Sequence, residues 1–233
     1  MTTALVTGAN RGIGLQTARE LAAAGWTVFL GSRDPERGAA AAAELAGDVR
    51  PLTLEVTSDD SVAAAVELVA AAVPALDVLV NNAGIVGTRT PPLETGPADF
   101  LACYGTNVLG PVRVTRAFLP LLRRSAQPRI VMVSSGMGSI GRTSEPGRVE
   151  SSLVSLVYPS SKSALNMITT MYAKALPGFQ VDVVDPGYTA TDFNSHRGHQ
   201  TLEEGARVVV ATAMAGPDGP TGRFLDKDGP VPW

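Results

Sequence analysis

The chain predicts an α/β fold: a single Rossmann-type doubly wound parallel sheet of about seven strands flanked by helices. Three observations carry this reading. Short β-branched runs alternate with Ala-rich segments of helix length. A glycine-rich turn follows the first such run and opens the first helical segment. The 233 residues fit one α/β domain with a sizeable core and leave no room for two ordinary ones, so 1–233 reads as a single domain.

The elements follow in order. Strand 4–7 leads to a helix over about 13–24, closed by Gly25. Strand 27–30 runs into Gly31-Ser32-Arg33. Asp34-Pro35-Glu36 then supplies an N-cap acid, a proline at the first helical position and an early carboxylate, announcing a helix to about residue 46. Strand 50–56 precedes a helix over about 59–73, with Val62, Val66 and Val69 at helical spacing. Strand 77–80 opens into Asn81-Asn82-Ala83-Gly84. A loop rich in Pro and Gly, 85–97, precedes a long helical region to about 124. Strand 129–133 ends in Ser134-Ser135. Residues 136–157 form a long connection with five Gly or Pro positions and a short helix near 149–157, a length typical of functional or mobile segments. Helix 159–176, strand 180–184, helix 202–215 and strand 222–225 complete the chain, with Thr201 and Glu204 at capping-box spacing.

Composition narrows the function classes. Hydrophobic residues make up 45% and charged residues 18%, which describes a packed globule and not a disordered chain. The net charge of −3 lacks the basic excess of a generic nucleic-acid or anionic-membrane binder. No apolar run is long enough to span a bilayer. Cys103 is the one cysteine and cannot form an internal disulfide, and the N-terminus carries no signal sequence, so a cytoplasmic location is expected.

The turn after strand one reads Thr7-Gly8-Ala9-Asn10-Arg11-Gly12-Ile13-Gly14. Glycines at G-x-x-x-G-x-G spacing let the backbone turn tightly and bring a pyrophosphate against N–H groups at a helix N-terminus. After strand two, Asp34 stands where an acid holds the ribose hydroxyl of NAD, but Pro35 marks it as a helix cap. Ser32 and Arg33 at the strand end offer a hydroxyl and a guanidinium to a 2′-phosphate, and Arg11 adds a second cation. An acid in that place repels the phosphate by a few kcal/mol at about 4 Å. Its absence, with arginines present, points to NADP(H).

Tyr158 and Lys162, four apart at a helix start, share one face. A free phenol near pKa 10 is a poor base at neutral pH, and a neighbouring ammonium is expected to stabilise its phenolate. With Thr7-Gly8-x-x-x-Gly12-Ile13-Gly14, Asn81-Asn82-Ala83-Gly84, Asn107, Ser135, Tyr158-x-x-x-Lys162 and Asp185-Pro186-Gly187 all in order, the chain resembles the short-chain dehydrogenase/reductase family along its whole length. The resemblance implies that Tyr158 is the general acid/base and that Lys162 tunes it and bonds the nicotinamide ribose. It implies that Ser135, with Ser134 as the rival, holds the substrate oxygen, and that Asn107 anchors a water in a proton relay. Asn82, Ala83 and Gly84 then line the adenosine ribose, and Glu55-Val56 stand where the family has Asp-Val at the adenine. Pro186, Gly187 and Thr189 hold the nicotinamide, so the cofactor set also includes Gly8, Asn10, Arg11, Gly12, Ile13, Gly14, Ser32 and Arg33. No metal is called for.

The implied function is NADPH-dependent reduction of a ketone or aldehyde, in the carbonyl reductase branch. The alternative is a non-catalytic NADP-binding regulatory or scaffold protein of the same fold. Ser135 and Tyr158 lie 23 positions apart, longer than in the commonest members. An insertion there obstructs helix packing between subunits, so a monomer or homodimer is expected. His196-x-x-His199 lacks a third ligand and reads as a solvated pair. Cys103 reads as a small buried residue and Arg123-Arg124 as a helix end. Phe193, Tyr188, Met137 and Val86 are candidates for an apolar substrate pocket or for packing.

Overall fold

Alternation decides the layering. Ala4 and Val6, Val78 and Val80, and Val131 and Val133 turn to one face of the sheet, while Leu5, Leu79, Ile130 and Met132 turn to the other. All are essentially buried, as strands covered on both faces require. The computed structural model describes residues 1–216 and 219–233.

The strands are β1 (Thr3–Val6), β2 (Thr27–Ser32), β3 (Asp48–Thr53), β4 (Val78–Asn81), β5 (Arg129–Val133), β6 (Gln180–Val184), β7 (Phe224–Asp226) and β8 (Gly229–Pro230). They form one eight-stranded sheet in the order β3-β2-β1-β4-β5-β6-β7-β8. The first seven are parallel, and the expected seven gain a short antiparallel neighbour in β8. Helices α1 (Gly12–Ala23), α2 (Pro35–Ala43) and α9 (Leu202–Ala213) cover one face. The other face carries α3 (Asp59–Ala72), α5 (Gly110–Leu122) and α8 (Val157–Ala175). Strand order reverses between β1 and β4, which opens a crevice at their carboxyl ends, the place where such sheets bind ligands.

Local chemistry sets several boundaries. Asp34 caps α2 by accepting from the Arg37 amide at 3.0 Å, with Pro35 at the first helical position. Thr201 and Glu204 close a reciprocal capping box on α9. Three differences from expectation have physical causes. Strand β3 ends at Thr53 rather than 56, because Glu55 folds into a turn in which its carboxylate accepts from the Thr57 amide and hydroxyl. The long helical region is α4 (Pro97–Tyr104), a π-turn over Gly105–Leu109, and α5. Within 136–157 lie a 3₁₀ turn (Gly136–Gly138), α6 (Ile140–Ser144) and α7 (Val149–Ser152), before α8 begins. Among the described residues, no helix is long and apolar enough to cross a membrane.

Candidate active site

The glycine turn is held shut from behind. Gly8 and Gly12 sit at φ +62° and +60°, a region that disfavours side chains. Asn82, just beyond β4, donates from Nδ2 to the carbonyls of Thr7 (2.8 Å) and Gly8 (3.1 Å), and its amide donates to the Thr7 hydroxyl. A Cβ on Gly8 would lie 2.9 Å from the Ala83 Cα, and one on Gly14 would lie 2.4 Å from Asn82 Nδ2. The strand-one turn and the strand-four extension thus form one close-packed cradle, with helix α1 starting at Gly12.

This cradle lies in a cleft of about 1380 Å³. A pocket for one drug-sized molecule occupies about 300–1,000 Å³, so the cleft has room for a dinucleotide and a second, smaller molecule. Gly8, Asn10, Arg11, Gly12, Ile13 and Gly14 line it, as do Ser32, Arg33, Glu55, Val56, Asn82, Ala83 and Gly84. So do Ser135, Tyr158, Lys162, Pro186, Gly187 and Thr189. Glycines that exclude a Cβ at a helix N-terminus, with guanidinium groups at one end of the cleft, fit a phosphorylated dinucleotide.

Side-chain engagement sharpens several assignments. Ser134 is buried and donates to Asn166 Oδ1 at 2.6 Å, whereas Ser135 Oγ accepts from the Met137 amide at 3.2 Å and keeps its hydroxyl proton for the cleft that Tyr158 also lines. The second serine is therefore the one whose hydroxyl is free to donate. Asn107 is the one predicted site residue that does not line the cleft. Its Oδ1 accepts from the Ile85 amide and its Nδ2 donates to the Ile85 carbonyl (both 2.9 Å) and to Ser161 Oγ, so the side chain is committed to the chain beyond β4. These bonds make Asn107 a brace for the segment that begins at Ile85. Asn107 comes from the π-turn, whose extra residue re-aims a helix at a functional site.

Arg11 differs too. Its Nη1 is 3.0 Å from Asp192 Oδ2, so this exposed cation is shared with the loop after β6. Ser32 is buried and donates to the Asp34 carbonyl at 2.8 Å, which shapes the turn that presents Arg33. Arg37, one turn into α2, also lines the cleft. Sequence reading missed it, although its place three residues beyond the N-cap Asp34 is a usable signal. His196 pairs with Asp192 at 2.8 Å, and the His199 ring lies 6.0 Å from the Tyr188 ring, tilted by 59°. Cys103 is fully buried, beside Asn107 and Ser161.

Electrostatics at the reactive pair depart from the simple expectation. Lys162 Nζ donates to the Val133 carbonyl at 2.9 Å and stands 5.8 Å from the Tyr158 ring centre. Burial pushes the Tyr158 hydroxyl above the ordinary tyrosine value, with Ser135 opposing it, and burial pulls Lys162 down to about 8. Desolvation at this site favours the protonated phenol. A phenol that keeps its proton suits a proton donor.

The Lys162 shift carries a stability consequence. Between about pH 8 and the ordinary lysine value of 10.5, the unfolded chain holds a proton at this site that the folded chain has released, so stability rises with pH across that window. Keeping the buried ammonium at pH 7 costs about 3 kcal/mol, and the lost Val133 bond offsets about 1–2 kcal/mol of it. Lys162→Met is therefore expected to be about 1–2 kcal/mol more stable than wild type at pH 7. In urea denaturation the gap closes as pH rises above about 8; a variant less stable at pH 7 contradicts the burial cost.

Comparison with known proteins agrees with this architecture. The family described as short chain dehydrogenase matches residues 2–202. A short-chain dehydrogenase of Penicillium roqueforti is 36% identical over 236 aligned residues, covering 96% of this chain and 93% of that protein. The (-)-isopiperitenone reductase of Mentha piperita is 32% identical, over 97% of this chain and 96% of its own length. Among solved structures, the NADPH-bound carbonyl reductase from chicken fatty liver superposes with a TM-score of 0.86 at 28% identity, covering 100% of this chain and 99% of that one. With its glycine cradle, serine and tyrosine–lysine pair gathered on one cleft, the chain belongs to the short-chain dehydrogenase family of oxidoreductases.

Proposed function

We propose that the protein is an NADPH-dependent reductase of apolar ketones or aldehydes, reversible toward alcohol oxidation, and that residues 1–233 act as one dinucleotide-binding catalytic domain. The observation that carries the reading is the run of the cleft. Arg33 and Arg37 follow β2, the glycine cradle follows β1 and Ser135 follows β5 beside Tyr158 and Lys162, and the strand order β2-β1-β4-β5 sets them in that sequence along the cleft they all line. A bound nicotinamide dinucleotide supplies the hydride. Ser135 donates to the carbonyl oxygen, Tyr158 gives that oxygen its proton, and Lys162 holds the ribose while charged. Because proton and hydride reach adjacent atoms of one carbonyl, the nicotinamide end belongs beside Tyr158, where Pro186 and Gly187 line the wall.

The substrate end is apolar. Leu101, Leu153, Val154, Tyr188 and Phe193 line the cleft and remain exposed, Val154 at 75%. Phe193 meets Tyr158 edge to face at 5.6 Å, so an apolar substrate body sits against the reacting phenol. Met137 and Val86 line the same space. A ketone with a bulky hydrocarbon body covers these side chains, while a small hydroxy acid leaves them wet. NADPH oxidation across alicyclic, aromatic and short-chain ketones tests this: the alicyclic and aromatic members are reduced fastest, and preference for short polar ketones overturns the assignment.

Cofactor preference rests on two exposed guanidinium groups. Arg33→Ala with Arg37→Ala lowers kcat/KM for NADPH by about 10²-fold and leaves NADH little changed. Equal losses with both cofactors would contradict a 2′-phosphate contact. Reduction should also fall above about pH 8, as Lys162 loses its proton. The working form is a cytoplasmic monomer or homodimer, and a tetramer in light scattering contradicts that.

A further inference from the structure

The segment between Ser135 and Tyr158 carries a buried ion cluster that meets the site motifs only at Asp185. Arg142 of α6 donates from Nη1 to Asp185 Oδ2 at 3.0 Å and from Nη2 to Asp226 Oδ2. Glu150 Oε1 of α7 lies 3.7 Å from the same Nη1, and Arg148 Nε lies 3.5 Å from Glu150 Oε2. The side chains of Arg142, Asp185, Asp226 and Glu150 are only 8–13% exposed. One cation thus joins the ends of β6 and β7 to two helices of the long connection.

Asp185 gives this cluster a route into the site. Its Oδ1 accepts from the Gly187 amide at 2.9 Å, and Gly136, next to Ser135, packs against its Oδ2. Gly187 sits at φ +75°, a turn in which the position of that amide decides where the peptide faces the cleft. Packing admits no slack: a Cβ on Gly136 would lie 2.7 Å from Glu150 Oε1 and 2.9 Å from Asp185 Oδ2. Farther along, Gly138 presses on Lys162, where a Cβ would fall 2.8 Å from the lysine Cβ.

We propose that Asp185, braced by Arg142 from the long connection, is a positioning residue that sets the Gly187 turn against the nicotinamide, so that the segment walling the substrate space also sets cofactor geometry. The proposal rests on the reductase reading for the identity of the ligand. A planar fork is needed because two carboxylates on different strands are held at once; an ammonium is a single point charge and reaches one well. Burial pushes Asp185 up, and the Arg142 guanidinium opposes that and favours the carboxylate to which the Gly187 amide donates.

The test compares ligands that differ only in the nicotinamide. In calorimetric titrations of the full chain, Asp185→Asn and Arg142→Met are expected to weaken NADPH by about tenfold and to leave 2′-phospho-ADP-ribose within about twofold. Arg142→Lys falls between wild type and Arg142→Met. Equal weakening of both ligands shows a merely structural cluster and overturns the proposal, as does no change in either. Arg142→Met leaves three carboxylates without their shared cation; if it fails to melt cooperatively, Asp185→Asn and Arg142→Lys decide. Wild type that reduces no ketone while the variants lose NADPH selectively removes the reductase reading and keeps the coupling. Wild type that turns over, with ligand binding unchanged in the variants, removes the coupling alone.

Discussion

Tyr158→Phe lowers kcat for ketone reduction by about 10³-fold, while NADPH affinity stays within about threefold of wild type. The ring persists, so its edge-to-face contact with Phe193 and its place on α8 persist as well. What disappears is the cleft-lining hydroxyl whose protonated form desolvation favours. Steady-state kinetics with calorimetric NADPH titration separates the two effects. A Phe variant near wild-type rate contradicts proton donation by Tyr158.

Gly14→Ala is expected to remove dinucleotide binding and to destabilise the fold by about 2–3 kcal/mol. Its Cβ would meet Asn82 Nδ2 at 2.4 Å, the Gly8 carbonyl at 2.8 Å and the Ala9 Cα at 3.0 Å, and two of these are backbone. Relief requires the Asn82 amide to leave the Thr7 and Gly8 carbonyls, which opens the cradle at its base. Thermal denaturation with and without NADPH checks both parts. An Ala variant that melts like wild type and gains the same stabilisation from NADPH contradicts the close-packed cradle.

Much of this architecture is legible in sequence because it is locally encoded. Strands 129–133 and 180–184 stand where β-branched runs place them, and Asp34-Pro35 and Thr201-x-x-Glu204 mark helix starts through bonds spanning three residues. The glycine turn, the serine and the tyrosine–lysine pair are short motifs attached to such elements, so their meeting on one cleft follows from the fold. The less legible features depend on distant partners. Arg142 binds carboxylates 43 and 84 positions away, and nothing beside it in sequence marks the cluster. Asn107 lies in a helical pattern whose apolar spacing hides the extra residue of the π-turn, and its commitment to Ile85 appears only in three dimensions. Arg11 looks free beside its glycines, yet Asp192, 181 positions later, holds it. Desolvation of Tyr158 and Lys162 likewise depends on how much chain surrounds them, which four-residue spacing does not disclose.

Isotope transfer addresses hydride and proton delivery in one measurement. NADPH deuterated on the transferring face of the nicotinamide ring is incubated with the purified chain and an alicyclic ketone, and the product is analysed by mass spectrometry and NMR. Reduction in this cleft places one deuterium on the carbinol carbon, at one face only, with one alcohol formed for each NADPH oxidised. Tight NADPH binding with no deuterium in any product, across the full ketone panel, would contradict a reductase and leave a cofactor-binding protein of the same fold.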